Sequence, residues 1–252
     1  MEPTAAQWRN LCRSSPWKWQ SLRFTLRWGI PTAQRGDGRE PPAPVACWLR
    51  RPGALRVESL DGALLQNTSG INDSRDGLFI SGNRKPWYLP PHLVTPVYDG
   101  DGLVARRPEA AYGEPVFGTP RFAALLDPVE LAGRAPVPLD SPFANVAEPG
   151  PITVVEHEGR TAWQATVEPT ATYQPTSPGH PLLYPGRTLL RIDAGTGVCV
   201  ASQALDGELA GAGHWLAIAA VDEYMLDDLF EDTSFGLTDV RAHIPWELGP
   251  DA

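Results

Sequence analysis

Residues 185–205, PGRTLLRIDAGTGVCVASQAL, constrain this chain more than any other stretch. Leu190 and Ile192 alternate with Arg191, the run Asp193-Ala194-Gly195-Thr196-Gly197 supplies two glycines that tolerate positive φ, and Val198 and Val200 resume the β-branched pattern. The reading is strand, turn, strand. A lone hairpin is marginal in water, so this one must belong to a larger antiparallel sheet.

The remaining chain supplies partners for it. Ala5–Ser14 reads as a short helix with Trp8, Leu11 and Cys12 on one face, ended by Ser14-Ser15-Pro16. In 22–28, Leu22, Phe24, Leu26 and Trp28 alternate with Arg23, Thr25 and Arg27, which predicts a strand with one packed face. Residues 29–44 show no periodicity and read as an exposed connection. Strands are expected at 46–49 and 54–58 around Arg51-Pro52-Gly53, then at 63–65 after Asp61-Gly62 and at 78–80 after Asp76-Gly77. Such a meander leaves no room for the crossover helices of a parallel sheet.

Residues 81–151 hold thirteen of the 27 prolines, and proline is excluded from central strands. They are expected as loops and short helices over the sheet, an excursion within a single domain spanning 1–252. The helical part is expected at 121–132, with Asp127-Pro128 capping a second short helix. Strands resume at 152–155 and 161–167, where Trp163, Ala165 and Val167 alternate with Ala162, Gln164 and Thr166. The last strand, 215–221, is apolar on both faces and therefore central. An acidic, amphipathic segment at 222–230 follows, with Tyr224, Leu226, Leu229 and Phe230 as its apolar residues, then a loosely held tail.

A net charge of −9 and a pI near 5.0 argue against nucleic acid or an anionic membrane surface as partner, since both need a positive field. Cys12, Cys47 and Cys199 are odd in number and widely spaced, without a CxxC, and are expected as free buried thiols. No stretch approaches the ~20 apolar residues of a membrane span, and the opening residues lack an apolar run after a basic one. The expected location is cytoplasmic.

The order of helix, meander, Pro-rich excursion and final strands, with the Asp-x-x-Thr-Gly turn at 193–197, the helix-then-strand opening at 8–28 and the ending VDEYMLDDLF at 221–230, resembles the lipoprotein-carrier superfamily. That family includes periplasmic lipoprotein carriers and envelope-stress sensors. The resemblance implies a mainly β (α+β) fold, an antiparallel half-open β-barrel with short helices over its open side. It also implies a role in binding an acyl chain, a lipid or a partner protein.

The aromatic content carries the site reading. Phe24, Leu26, Trp28, Trp163, Val167, Val200 and Trp215 are the candidates for lining a concave apolar cavity. The same residues would equally serve as a filled core, which makes an interaction module without a small ligand the alternative. The acidic run Asp222, Glu223, Asp227, Asp228, Glu231 and Asp232 lacks the ligand order of a calcium loop and reads as a solvated face, so no metal is expected. His157, between Glu156 and Glu158, reads as an exposed hairpin tip. Gly207, Gly211 and Gly213 precede a strand instead of opening a helix, so they form no phosphate loop. No catalytic residue or cofactor is assigned. A hydrolase is the weakest reading; it requires His92, His157, His180, His214 or His243 within hydrogen-bond reach of a Ser or Cys and a carboxylate in one cleft.

Overall fold

The alternating residues of 22–28 form the strand about which the sheet is built. The computed structural model describes residues 2–69, 91–109, 120–138 and 145–231. In chain order the elements are α1 (Ala5–Ser14), β1 (Ser21–Gly29), α2 (Thr32–Gly36), β2 (Val45–Arg50), β3 (Ala54–Ser59), β4 (Leu64–Thr68), β5 (Val97–Tyr98) and β6 (Val104–Arg106). Then come α3 (Pro120–Leu126), β7 (Ala147–Pro149), β8 (Thr153–His157), β9 (Arg160–Pro169), β10 (Thr188–Asp193), β11 (Cys199–Ala204) and β12 (Gly213–Val221). Short 3-10 turns lie at Ser15–Trp17, Pro91–Leu93, Val129–Leu131 and Asp227–Phe230.

Ten strands form one antiparallel sheet in the order β4-β3-β2-β1-β12-β11-β10-β9-β7, with β8 also paired to β9. The fold is mainly β with a few short helices, as expected. Strand β12 returns between β1 and β11, joining the two meanders at the centre. Among the described residues the outer strands β4 and β7 do not pair with each other, so the sheet stays open. No helix among them is long and apolar enough to cross a membrane.

One face of the sheet carries the core. Leu22, Phe24 and Leu26 of β1 pack with Leu216 and Ile218 of β12 and with Leu190 and Ile192 of β10, all buried. Trp8, Leu11 and Cys12 of α1 close over them, the face that the helical spacing predicts. Thr4 opens α1 through a capping box with Gln7. The Asp-x-x-Thr-Gly turn is the dock for this helix. Buried Asp193 accepts from the Thr196 amide and hydroxyl, at 2.7 and 2.8 Å, and from the Arg160 fork. Gly197 sits at φ +72°, and a Cβ there would lie 2.9 Å from the Leu11 carbonyl oxygen, so only glycine lets the helix approach. Gly195, the other glycine of the turn, does not use positive φ.

Three buried arginines fasten the cover. Arg13 donates to the Ala132 and Gly133 carbonyls, and burial pushes its guanidinium down to about 10. Arg51 lies over the Trp19 ring at 3.3 Å. Arg107 donates to the Arg13 carbonyl and forks onto Asp127. Asp127 therefore pairs with a guanidinium and does not cap Val129–Leu131, which has no side-chain cap.

Other expectations change where distant residues intervene. The connection 29–44 contains the short helix α2. The excursion contributes a small hairpin, β5–β6, and one strand of the main sheet, β7, whose Pro149 is tolerated because β7 lies at the edge. His157 is buried while its neighbours Glu156 and Glu158 are exposed. The acidic segment 222–230 is strapped across β1–β4: Asp222 accepts from the Gln20 amide, Arg50 donates to the Met225 carbonyl and Arg56 to that of Leu229. Met225 and Phe230 are its buried residues, and Tyr224 and Leu226 are exposed. The three cysteines are free and buried, as expected. The strand expected at 78–80, its turn at Asp76-Gly77, Asp232, His243 and the tail beyond 231 lie outside the described residues.

Candidate functional site

A cavity of about 740 Å³ opens at the end of the sheet where β1 finishes and β12 starts. Its floor is a cross-strand row. Trp28 of β1 stands opposite His214 of β12, which stands opposite Ser202 of β11. The α3 residues Ala124 and Leu125 form one wall, Pro181, Leu182 and Tyr184 a second, and Ile30, Pro31 and Pro42 a rim. Gln34, Arg39, Glu40 and His180 add polar groups around this mainly apolar lining.

Buried Glu130 holds the second wall. Its carboxylate accepts from the Thr176 amide (2.7 Å), the Leu182 amide (2.7 Å) and the Tyr173 hydroxyl (2.6 Å). Burial first, and then the adjacent carboxylate, pushes the Tyr173 phenol up, so it stays a donor. At the rim the Thr32 amide donates to the Ala210 carbonyl. The floor is closed by contact: a Cβ on Gly213, at φ +147°, would meet the Ser202 carbonyl oxygen at 2.0 Å.

The polar part of the floor is internally satisfied. The Cys199 carbonyl only accepts, so His214 carries its proton on Nε2, 2.7 Å away, and Nδ1 accepts from the Ser202 hydroxyl at 2.8 Å. Burial pushes His214 down to about 4. The hydrolase reading requires a carboxylate as well as a serine beside the histidine. Here, however, both ring nitrogens are engaged by neutral groups, and the imidazole is a weak base at neutral pH. The pair suits a fixed polar anchor: the Ser202 oxygen retains lone pairs for a ligand donor.

The seven sequence candidates separate into three environments. Trp28 lines the cavity. Phe24, Leu26, Val167 and Val200 are buried in the core, and Trp163 packs half-buried against it. Trp215 stands opposite Arg27, so it lies on the other face of the sheet from Trp28 and is corrected out of the concave set. Ser202, Leu125 and Leu182 are not among the candidates, and His214 enters the sequence reading only as one of the five histidines open to a hydrolase. The turn before β12 hid His214, and only the strand order brings α3 and the 179–185 loop to the same end.

Among the described residues no group of three or more His, Cys, Asp or Glu side chains is placed to hold a metal ion. The fold and cavity define an open antiparallel sheet with helices on one face and a pocket at one end. No protein-family model matches the chain, and no curated protein matches it. Among solved structures it is similar to the crystal structure of MucB, at 15% identity and a TM-score of 0.36, over 90% of this chain and 62% of that one. The chain thus spans less than two thirds of the MucB structure. At that score the likeness is remote and assigns no role to any residue.

Proposed function

We propose that this chain is a non-enzymatic binding protein, a carrier-like half-barrel that holds an apolar ligand such as an acyl chain or lipid. The 740 Å³ cavity carries the reading: its volume lies in the range of small-molecule sites, Ala124, Leu125, Pro181 and Leu182 give it apolar walls, and Ser202 and His214 set a polar pair in its floor. Trp28, Leu125 and Leu182 bind the apolar body, and Ser202, oriented by His214, accepts from a hydroxyl or amide donor at the polar end. Glu130 keeps the wall in place before the ligand arrives, which lowers the ordering cost of binding.

The test is mass spectrometry of an organic extract from the purified protein, together with uptake of a fluorescent fatty acid. Wild type retains or takes up the acyl chain, and Trp28→Asp and Leu182→Trp lose it while keeping the wild-type circular dichroism. A clean extract combined with no uptake by wild type rejects the proposal. In that case the interaction-module reading gains, with the exposed Tyr224 and Leu226 on the C-terminal strap as its docking residues.

A further inference from the structure

We infer that the opposite face of the same sheet end is a second site, which binds an organic anion: a carboxylate or phosphate carried on a flat apolar body. One residue before Trp28, a different cross-strand row crosses the sheet. Arg27 stands opposite Trp215, Trp215 opposite Ala201, Ala201 opposite Arg191 and Arg191 opposite Gln164. The strand period of two places these side chains on the other face from Trp28, although the groove they line meets the first cavity at the sheet end, where Trp28, Ser202 and His214 border both. The inference rests on the arginine–indole row and not on an acyl ligand in that cavity.

Two guanidiniums converge on one indole. The Cζ of Arg27 lies 5.7 Å and that of Arg191 5.1 Å from the Trp215 ring. A third, Arg35, lines the same groove of about 480 Å³, and Pro41, Pro42 and Pro44 form its apolar wall. Among the described residues no carboxylate lines it, although acidic residues outnumber basic ones 30 to 21 in the chain. Among the described residues none of these three arginines forms an ion pair.

The row is held in position by neutral groups. Gln164 accepts from Arg191 Nε at 2.8 Å, and His157 Nδ1 accepts from Nη1 at 3.3 Å. His157 can only accept there because its Nε2 proton goes to the Leu216 carbonyl at 2.8 Å. The ring of His157 also lies 4.3 Å from that of Trp215, whose N–H donates to Glu158 at 2.7 Å. The Glu158 carboxylate thus fixes the indole instead of neutralising the arginines. Like charges gathered without a counter-ion repel, and an anion between them converts that repulsion into charge-assisted hydrogen bonds. Arginine's planar fork suits a carboxylate or phosphate, and the indole and proline surfaces suit a flat apolar body.

Calorimetric titration with phenyl phosphate, inorganic phosphate and benzyl alcohol tests the site. Phenyl phosphate binds, inorganic phosphate binds about tenfold more weakly, and benzyl alcohol does not bind. Arg27→Gln and Arg191→Gln each weaken phenyl phosphate about tenfold, in line with the loss of one charged hydrogen bond. Trp215→Leu brings phenyl phosphate to the level of inorganic phosphate, and Arg9→Gln, in an ion pair with Glu148, changes nothing. Because Arg27 is exposed, its variant spares the core, and added salt weakens binding to wild type without any mutation. The inference is overturned if phenyl phosphate gives no heat, if benzyl alcohol binds as well as phenyl phosphate, or if folded Arg27→Gln and Arg191→Gln bind like wild type. Equal binding of the two phosphates overturns the role of Trp215.

Discussion

The rows Trp28–His214–Ser202 and Arg27–Trp215–Ala201, the second continuing to Arg191 on β10, lie one residue apart on the same three strands, yet they meet opposite conditions. The inner row is covered by α3 and the 179–185 loop, so its polar atoms find partners within the protein and its histidine is held neutral. Among the described residues the outer row has no such helix above it and keeps its charges. There the arginines rest on an indole and on neutral acceptors. The difference shows that a strand's period separates residues into two sets, and the element packed above each set decides its chemistry.

The comparison breaks first at the fastenings of the inner cover. Asp127→Ala takes the carboxylate from the buried Arg107 guanidinium and is expected to cost about 3–5 kcal/mol in urea unfolding. In β1 itself, Leu26→Ala is expected to cost about 2–5 kcal/mol, whereas Thr25→Ala, its exposed neighbour, stays within about 0.5 kcal/mol.

Acid sharpens the contrast. The folded-state value of His214, about 4, lies below its ordinary 6.5, so the unfolded chain binds the extra proton between them. Its contribution is complete above about pH 6.5 and is lost as pH falls towards 4, a change on the order of 3 kcal/mol. Burial also pushes His157 down, in the same direction, so the difference between wild type and His214→Gln isolates this residue. A stability profile that is unchanged by His214→Gln across that window removes the buried neutral histidine from the account. A small effect is also expected on the outer face, where Arg23→Ala breaks a half-exposed pair with Glu223 and changes stability by no more than about 1 kcal/mol.

Local pattern determined much of this. The alternation of 22–28, the apolar face of α1, the turn at 193–197 and the proline-poor strands after 152 all lie within a few residues of their cause, and each appears in the structure as expected. The role of Gly197 in docking α1 could not be read locally, because its reason lies in the Leu11 carbonyl, on a helix at the other end of the chain.

The sites depend still more on such distant contacts. His157 is exposed by its turn sequence and buried by Trp215 and the Leu216 carbonyl. Asp127 is a cap by its neighbour Pro128 and an ion-pair partner by Arg107. Net charge points away from anions, but it sums over the whole surface and is blind to three arginines gathered in one groove. The sequence by itself determined which residues share a strand face or a helix face, because those periods follow from backbone geometry. Only the tertiary structure decided which face was covered, which charges found partners and where a cavity remained, because those outcomes depend on elements brought together from far along the chain.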